Sequence, residues 1–357
     1  MVSIAYIEIT YEGKNITQEI APFITAFTYT DNASGKADDI ALTLEDRDSL
    51  WLNDWMPSKG DVIRPAIIAQ GYRYNLGTFQ ADEISYSYPP RTLSIKAVSC
   101  AVTGRARFEN HNQAWESVTV KDIAGSIAEA SGLSLYYDAE DFPVDRKEQI
   151  HQADLPFLEE LCGSFGLNVK IHDDTLVVYS EREYSGHDSA VEISSEDSRL
   201  LTVKFTSKSA KIYRKARVKY HHPVKNEVYE AEYEDEDAEG TEQELELYEA
   251  VDSQQQAEEI AKESLTSANS KEVTAELTLT GDIFAAGNNI TLSGFGMFSG
   301  KYFADKVTHT ITNGWTTQLS LKMGGGAKKA VQSAKAKVKA KAKSGGGILL
   351  ADDSEGY

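Results

Sequence analysis

Two cysteines in 357 residues, Cys100 and Cys162, are too few for a disulfide framework or a cysteine zinc site. Both are expected to be reduced, buried side chains of a cytoplasmic product. No stretch approaches the roughly 18–20 apolar residues of a membrane span. The opening MVSIAYIEIT has no basic segment ahead of an apolar one, so neither a signal peptide nor a membrane-spanning segment is expected. Basic charge is also scarce: 36 Lys and Arg stand against 56 Asp and Glu, a net charge of -20. The shortage is uneven. Residues 324–357 hold seven lysines and three acidic residues, which leaves 29 basic against 53 acidic side chains, a net of -24, in the first 323. Such a body repels phosphates, which argues against sequence-specific nucleic-acid binding.

Catalytic patterns are missing too. Gly294, Gly296 and Gly300 sit in AAGNNITLSGFGMFSGKYFADKVTHT. A phosphate loop needs Gly-x-x-x-x-Gly-Lys-Ser/Thr between a strand and a helix, whereas Gly300-Lys301 runs on into Tyr302 and strand-like residues. The dinucleotide fingerprint fails as well, because its third glycine comes one place late and no helix follows. These glycines are expected to turn antiparallel strands. His111, His151, His172, His187, His221, His222 and His309 never show the i, i+4 spacing that sets two imidazoles on one helical face. Gly163-Ser164-Phe165-Gly166 is not a nucleophile elbow. The carboxylates of residues 230–247 lack the alternating ligands and central glycine of a calcium loop, so they are expected to form a solvated acidic loop. The expectation is a non-enzyme with no catalytic, cofactor-binding or metal-binding residues.

What is present is strand and helix patterning over a length that predicts two or three domains. Ala5, Ile7, Ile9 and Tyr11 alternate with polar neighbours, as do Ile40, Leu42 and Leu44, and Leu93, Ile95 and Ala97. Turn signals at Asp31-Asn32, Ser34-Gly35 and Pro89-Pro90 separate these runs. The middle differs. Thr119 and Asp122 have capping spacing before Ile123 and Ile127, with Gly132 as a stop. A second helix begins behind Asp154, stacks Leu158, Leu161 and Phe165, and ends at Gly166; a hairpin turning at Asp173-Asp174 follows. Strands resume at 198, and a helix with Ser253 and Gln256 at its start buries Ala257, Ile260, Ala261 and Leu265. Residues 324–357 form a Gly/Ala/Lys-rich arm, either a tether whose Ile348-Leu349-Leu350 docks on a partner or an unstructured tail. Trp51, Trp55 and Trp115 are interface candidates or core residues.

The order of these segments resembles the baseplate hub proteins of contractile phage tails, the late control protein D family, relatives of the hub portion of type VI secretion spike proteins. Three stretches carry the match: Gln152 to Gly166 followed by Asp174 to Leu176, the helix from Ser253 to Ala261, and the closing run from Gly281 through Gly287, Ile290, Gly294, Gly300 and Tyr302 to His309. The resemblance implies a mainly β fold of two tail-tube-like antiparallel β-barrel domains plus a small α+β domain. On that basis residues 1–104 form the first barrel, with strands returning from about 198–230, residues 105–197 the α+β insert, residues 198–323 the second barrel, and 324–357 a flexible arm. It further implies a homotrimer that adapts a sixfold tail tube to a threefold spike. The implied partners are the central spike protein, the tail tube protein, other baseplate components and the tape measure protein, in a virion tail or a tail-like particle. A cell-wall or carbohydrate-binding module of a tail tip, and a tail-associated hydrolase, stand as the alternatives.

Overall fold

The computed structural model describes residues 5–323 apart from 35, 48, 54, 100–108, 173–174, 209–211, 223–225, 236–237, 239–240, 249–250 and 271. Gly35, Cys100, the turn at Asp173-Asp174 and the 324–357 arm therefore lie outside the described residues.

Alternation builds β1 (Ala5–Tyr11), whose Ile7 and Ile9 point into a core. After β2 (Lys14–Asn15) and the single-turn α1 (Thr17–Ile20) come β3 (Ile24–Asn32), β4 (Asp39–Glu45), β5 (Val62–Ala69), β6 (Tyr72–Asn75), β7 (Phe79–Ser87) and β8 (Thr92–Ser99). Ile40, Leu42 and Leu44 of β4 and Leu93, Ile95 and Ala97 of β8 all face the same buried cluster. Asp31 and Asn32 do not turn the chain as their residue types suggest. They extend β3, because polar partners hold both side chains inside the protein.

The α+β insert contains β9 (His111–Thr119), α2 (Val120–Ala130), β10 (Ser134–Asp138), β11 (Pro143–Gln152), α3 (Asp154–Gly163), β12 (Asn168–His172), β13 (Thr175–Tyr179) and α4 (Glu181–Gly186). Thr119 and Asp122 form a reciprocal capping box on α2, and Gly132 ends it at φ +73°. Leu158 and Leu161 of α3 pack with Phe165, Ile123, Ile127 and Cys162. Burial pushes the Cys162 thiol up to about 12, so it is inert at neutral pH.

The rest of the chain forms β14 (Val191–Ser194), β15 (Leu200–Ser207), β16 (Lys215–His222), β17 (Glu227–Glu234), β18 (Glu244–Leu247), α5 (Gln254–Ser270), β19 (Val273–Thr280), β20 (Asn289–Ser293), β21 (Gly300–Ile311) and β22 (Trp315–Met323). Ala257, Ile260, Ala261 and Leu265 of α5 cover the small sheet of β16, β17 and β18. The acidic segment is thus not simply a loop: β17 and β18 make strand of much of it and leave most of its carboxylates on exposed positions. Tyr229 and Ala231 face α5, while Glu232 and Glu234 on the other face pair with Arg217 and Arg214 at 3.2 and 2.8 Å. Two signals beat the charge run: period-two alternation and complementary basic residues on and just before β16. Nor do residues 198–230 return to the first strands. β15 pairs with β19, and β16 pairs with β17 and β18.

Among the described residues, fourteen strands form one sheet in the order β15-β19-β22-β21-β3-β4-β8-β7-β5-β1-β2, with β20 beside β21, β14 beside β20 and β6 beside β5. The class is mainly β with an α+β insert, as expected. The two halves are not separately closed barrels: the outer edge of β3, which could close the first, pairs instead with β21 of the second.

Candidate functional site: the seam between two copies of one strand unit

Each half of the large sheet contains six principal strands. In the first, the strands in chain order are β1, β3, β4, β5, β7 and β8, and across the sheet they lie β3-β4-β8-β7-β5-β1. In the second they are β14, β15, β19, β20, β21 and β22, and they lie β15-β19-β22-β21-β20-β14. The order is the same in both: second, third, sixth, fifth, fourth, first. One pairing differs, since β1 and β5 run antiparallel while β14 and β20 run parallel.

The likeness extends to single residues. The β7–β8 ladder skips Asp82 between Ala81 and Glu83, and the β21–β22 ladder skips Asp305 between Ala304 and Lys306. A second irregularity falls at Thr25, between Ile24 and Ala26, and its counterpart at Leu201, between Leu200 and Thr202. Bulges bend and twist a strand at one chosen place, so matched bulges give matched curvature. The amide of Gly60 donates to the Ala81 carbonyl at 2.8 Å, and that of Gly287 donates to Ala304 at 2.8 Å. In return the amides of Ala81 and Ala304 donate to Asp61 and Asn288, each at 2.9 Å. Gly60 has φ +92° and Gly287 φ +91°, a conformation that favours glycine.

The two units meet where β3 pairs with the second half of β21, from Lys306↔Asn32 to Ile311↔Phe27. Tyr29 stacks on His309 across this seam at 5.9 Å. His309 is buried between the Thr317 hydroxyl at 3.1 Å and the Phe284 carbonyl at 3.2 Å, and burial holds its imidazole below the ordinary range. At one end of the seam Asp31 accepts the Ala286 amide at 2.8 Å and is in direct contact with Lys170 of the insert. Asp38 lies 3.8 Å from the same ammonium and accepts the Asn32 amide at 2.9 Å. Burial pushes the Asp38 carboxyl up to about 7 against the pull of Lys170, and the nearby Asp31 adds to the rise. Three segments far apart in sequence thus share one buried charge cluster. Tyr179 adds a hydroxyl donated to the Ala33 carbonyl at 2.8 Å, and Ser180 and Arg182 bind Glu263 of α5 at 3.0 and 2.8 Å.

Gly294 and Gly296 have φ +78° and +60° in the turn from β20 to β21, and Gly300 opens β21, as strand-turning glycines should. Trp51 and Trp115 are buried, Trp115 stacked on Phe157. Trp55 is exposed beside Trp51, at the mouth of an apolar cavity of about 360 Å³ that Ile9, Leu42, Leu44 and Ile63 also line. Among the described residues no group of His, Cys, Asp or Glu is arranged to hold a metal, and no helix is long and apolar enough to cross a membrane. Of the seam residues, Asp38 and Lys170 carry no signal in the sequence, Asp31 reads there as a turn residue, and His309 as a histidine without a metal-ligand spacing and the end of the closing run. Sequence reading passed over a legible signal, Gly77-Thr-Phe-Gln-Ala-Asp-Glu-Ile beside Gly300-Lys-Tyr-Phe-Ala-Asp-Lys-Val.

The same architecture recurs in solved structures. The 43 kDa tail protein of prophage MuSo2 from Shewanella oneidensis matches 91% of this chain and 99% of its own length, with a TM-score of 0.71 at 14% identity. The fold is that of phage tail proteins. A tail protein from Neisseria meningitidis matches over 90% of this chain and 97% of its own, with a TM-score of 0.68 at 14% identity. An Escherichia coli component of the type VI secretion system, itself similar to bacteriophage T4 tail proteins gp27 and gp5, matches over 90% and 76% with a TM-score of 0.54 at 10% identity. By sequence, 166 residues are 26% identical to the "Probable baseplate hub protein" of Escherichia phage 186, spanning 46% of this chain and 42% of that protein. No family model matches the chain.

Proposed function

We propose that the chain is a structural subunit of the baseplate hub of a contractile tail or a related injection machine, assembled as a homotrimer. The observation that carries the reading is the duplicated six-strand unit. Three copies of a chain with two like units present six like units on one face while keeping threefold symmetry elsewhere. That is the geometry an adapter between a sixfold tube and a threefold spike requires. The likeness to phage tail proteins over nine-tenths of the chain and the local similarity to a probable baseplate hub protein support the same assignment. On this reading the chain does no chemistry, and the tail tube, the central spike and neighbouring baseplate proteins are its partners. The domains follow as two tube-like units flanking the α+β insert.

Three bodies of net charge -24 carry -72 between them. Part of that charge lines the central channel, where it lets DNA pass without adhering. The test is the mass of the purified chain by light scattering, followed by imaging of the particle. A trimer whose six strand units surround a negatively charged channel supports the hub. A stable monomer that also fails to join a co-expressed spike protein rejects it, and a neutral or basic channel wall rejects the charge argument alone.

A further inference from the structure

Equivalence of the two units leaves one seam unmade. Within the chain, the fifth strand of the second unit (β21) pairs with the second strand of the first unit (β3). The corresponding strands, the fifth of the first unit (β7) and the second of the second (β15), do not pair with each other among the described residues. Among the described residues β15 ends the sheet and pairs only with β19. Among the described residues β7 pairs with β5 only at Gln80 and Phe79, and beyond Glu83 no strand lies on that edge. β21 has the same plan: β20 takes its first four residues, and its later part, from Lys306, is left for β3.

We infer that β15 of one copy pairs with the Glu83–Tyr88 edge of a second copy, antiparallel and in the register of the β3–β21 seam. This rests on the trimeric hub reading and gives it residues. The bulges fix the correspondence. Asp82 and Asp305 align β7 with β21, placing Glu83 at Lys306 and Tyr86 at His309. Thr25 and Leu201 align β3 with β15, placing Phe205 at Tyr29 and Lys208 at Asn32. Carrying the known register across gives Glu83↔Lys208, Ile84↔Ser207, Ser85↔Thr206, Tyr86↔Phe205, Ser87↔Lys204 and Tyr88↔Val203.

The side chains suit those pairings. Glu83 opposes a lysine, and opposite charges directly across a ladder are favourable. Tyr86 opposes Phe205, an aromatic pair where the existing seam stacks His309 on Tyr29. Exposure agrees. Phe27 and Tyr29 are buried in the finished seam, whereas their counterparts Val203 and Phe205 are half-buried. Ile311 is 7% exposed, whereas its counterpart Tyr88 is 72% exposed. Both open edges carry charge (Glu83 on one, Lys204 and Lys208 on the other), which discourages random strand pairing and favours this one. Each contact is head to tail, from fifth strand to second, so three copies close into a ring of six units.

Oxidative cross-linking of the full chain carrying Ser85→Cys with Thr206→Cys tests the register, with the wild-type chain under the same oxidant as control. Directly opposed strand residues have Cβ atoms close enough for a disulfide, and positions two residues further along do not. Covalent trimers from this pair, and none from Ser85→Cys with Lys204→Cys, support the inference. Trimers by light scattering that fail to cross-link, or that cross-link only through the shifted pair, overturn the register while leaving the hub reading intact. A cross-linked ladder longer than three supports the strand pairing and rejects the closed trimer. A chain that stays monomeric and uncross-linked at all concentrations overturns the inference. The hub reading then stands or falls on spike binding.

Discussion

Tyr29 and His309 stack at 5.9 Å, one from each strand unit, on the face that both units bury. The pair seals the seam, and its energy holds two halves of the sheet together as well as filling a core. Tyr29→Ala is expected to cost about 3–5 kcal/mol, the usual range for removing a buried aromatic ring. Urea unfolding measures the loss. A cost below about 1 kcal/mol would show that the seam contributes little.

Protonation of His309 should weaken the same place. Burial holds its imidazole below 6.5, so the folded protein resists a proton that the unfolded chain accepts. Stability from this group is intact above pH 6.5 and falls as the pH drops below it. His309→Gln, which keeps polar atoms near Thr317 and Phe284, is expected to flatten that acid slope. Midpoints of thermal unfolding across the range check it, and an unchanged slope refutes the assignment.

The charge cluster should behave in the opposite sense at Asp38. Its carboxyl titrates near 3.8 when unfolded and at about 7 when folded, so the folded state holds the proton more tightly. The stabilising contribution is therefore full below 3.8 and is lost as the pH rises through about 7. Asp38→Asn should gain on the wild type steadily over that interval. Parallel stability profiles for the two proteins would sink the idea.

Lys170 is the cation that compensates both carboxylates. Lys170→Met strands Asp31 in a buried site and is expected to cost about 3–5 kcal/mol. Adding Asp31→Asn and Asp38→Asn should recover most of that loss. Denaturant unfolding of the single and triple variants measures both steps. Equal stability of the two would mean the charges are not coupled.

Gly60 and Gly287 offer a direct check on the equivalence of the two units. A Cβ at Gly60 would have Gln80 Nε2 as its nearest neighbour at 3.6 Å, and one at Gly287 would meet nothing within 4 Å. The cost of Gly→Ala is then backbone strain alone, about 1–2 kcal/mol at each. Gly166→Ala should cost more, because its Cβ would fall 2.3 Å from Glu263 Cβ. Unfolding free energies that differ widely between the first two variants would break the equivalence.

Much of this architecture was legible in the sequence. Alternation in β1, β4 and β8, the capping pair at Thr119 and Asp122, and the apolar stripe of α5 depend on neighbours within one or two turns of chain, and pattern records such neighbours. The joint was harder to read. Asp31 looks like a turn residue because carboxylates favour turns, and only Lys170 and the Ala286 amide, 139 and 255 positions away, explain its burial in a strand. Residues 230–234 look like an unstructured run until Arg217 on β16 and Arg214 just before it are set beside them. His309 has no local motif, since its partners Tyr29, Phe284 and Thr317 come from three other segments. The repeat of Ala81-Asp82 in Ala304-Asp305 could have been found, yet two residues in a degenerate frame gain meaning only once the bulges are seen.

The excursion between β15 and β19 sets the two units apart. In the first unit the matching link from β3 to β4 is only residues 33–38, whereas in the second it carries β16 to β18 and α5. Around a closed circle of three copies, a short stitch would alternate with a long one. The rim would then bear three bosses over six near-identical staves, and the change of count would lie in the length of a single connection.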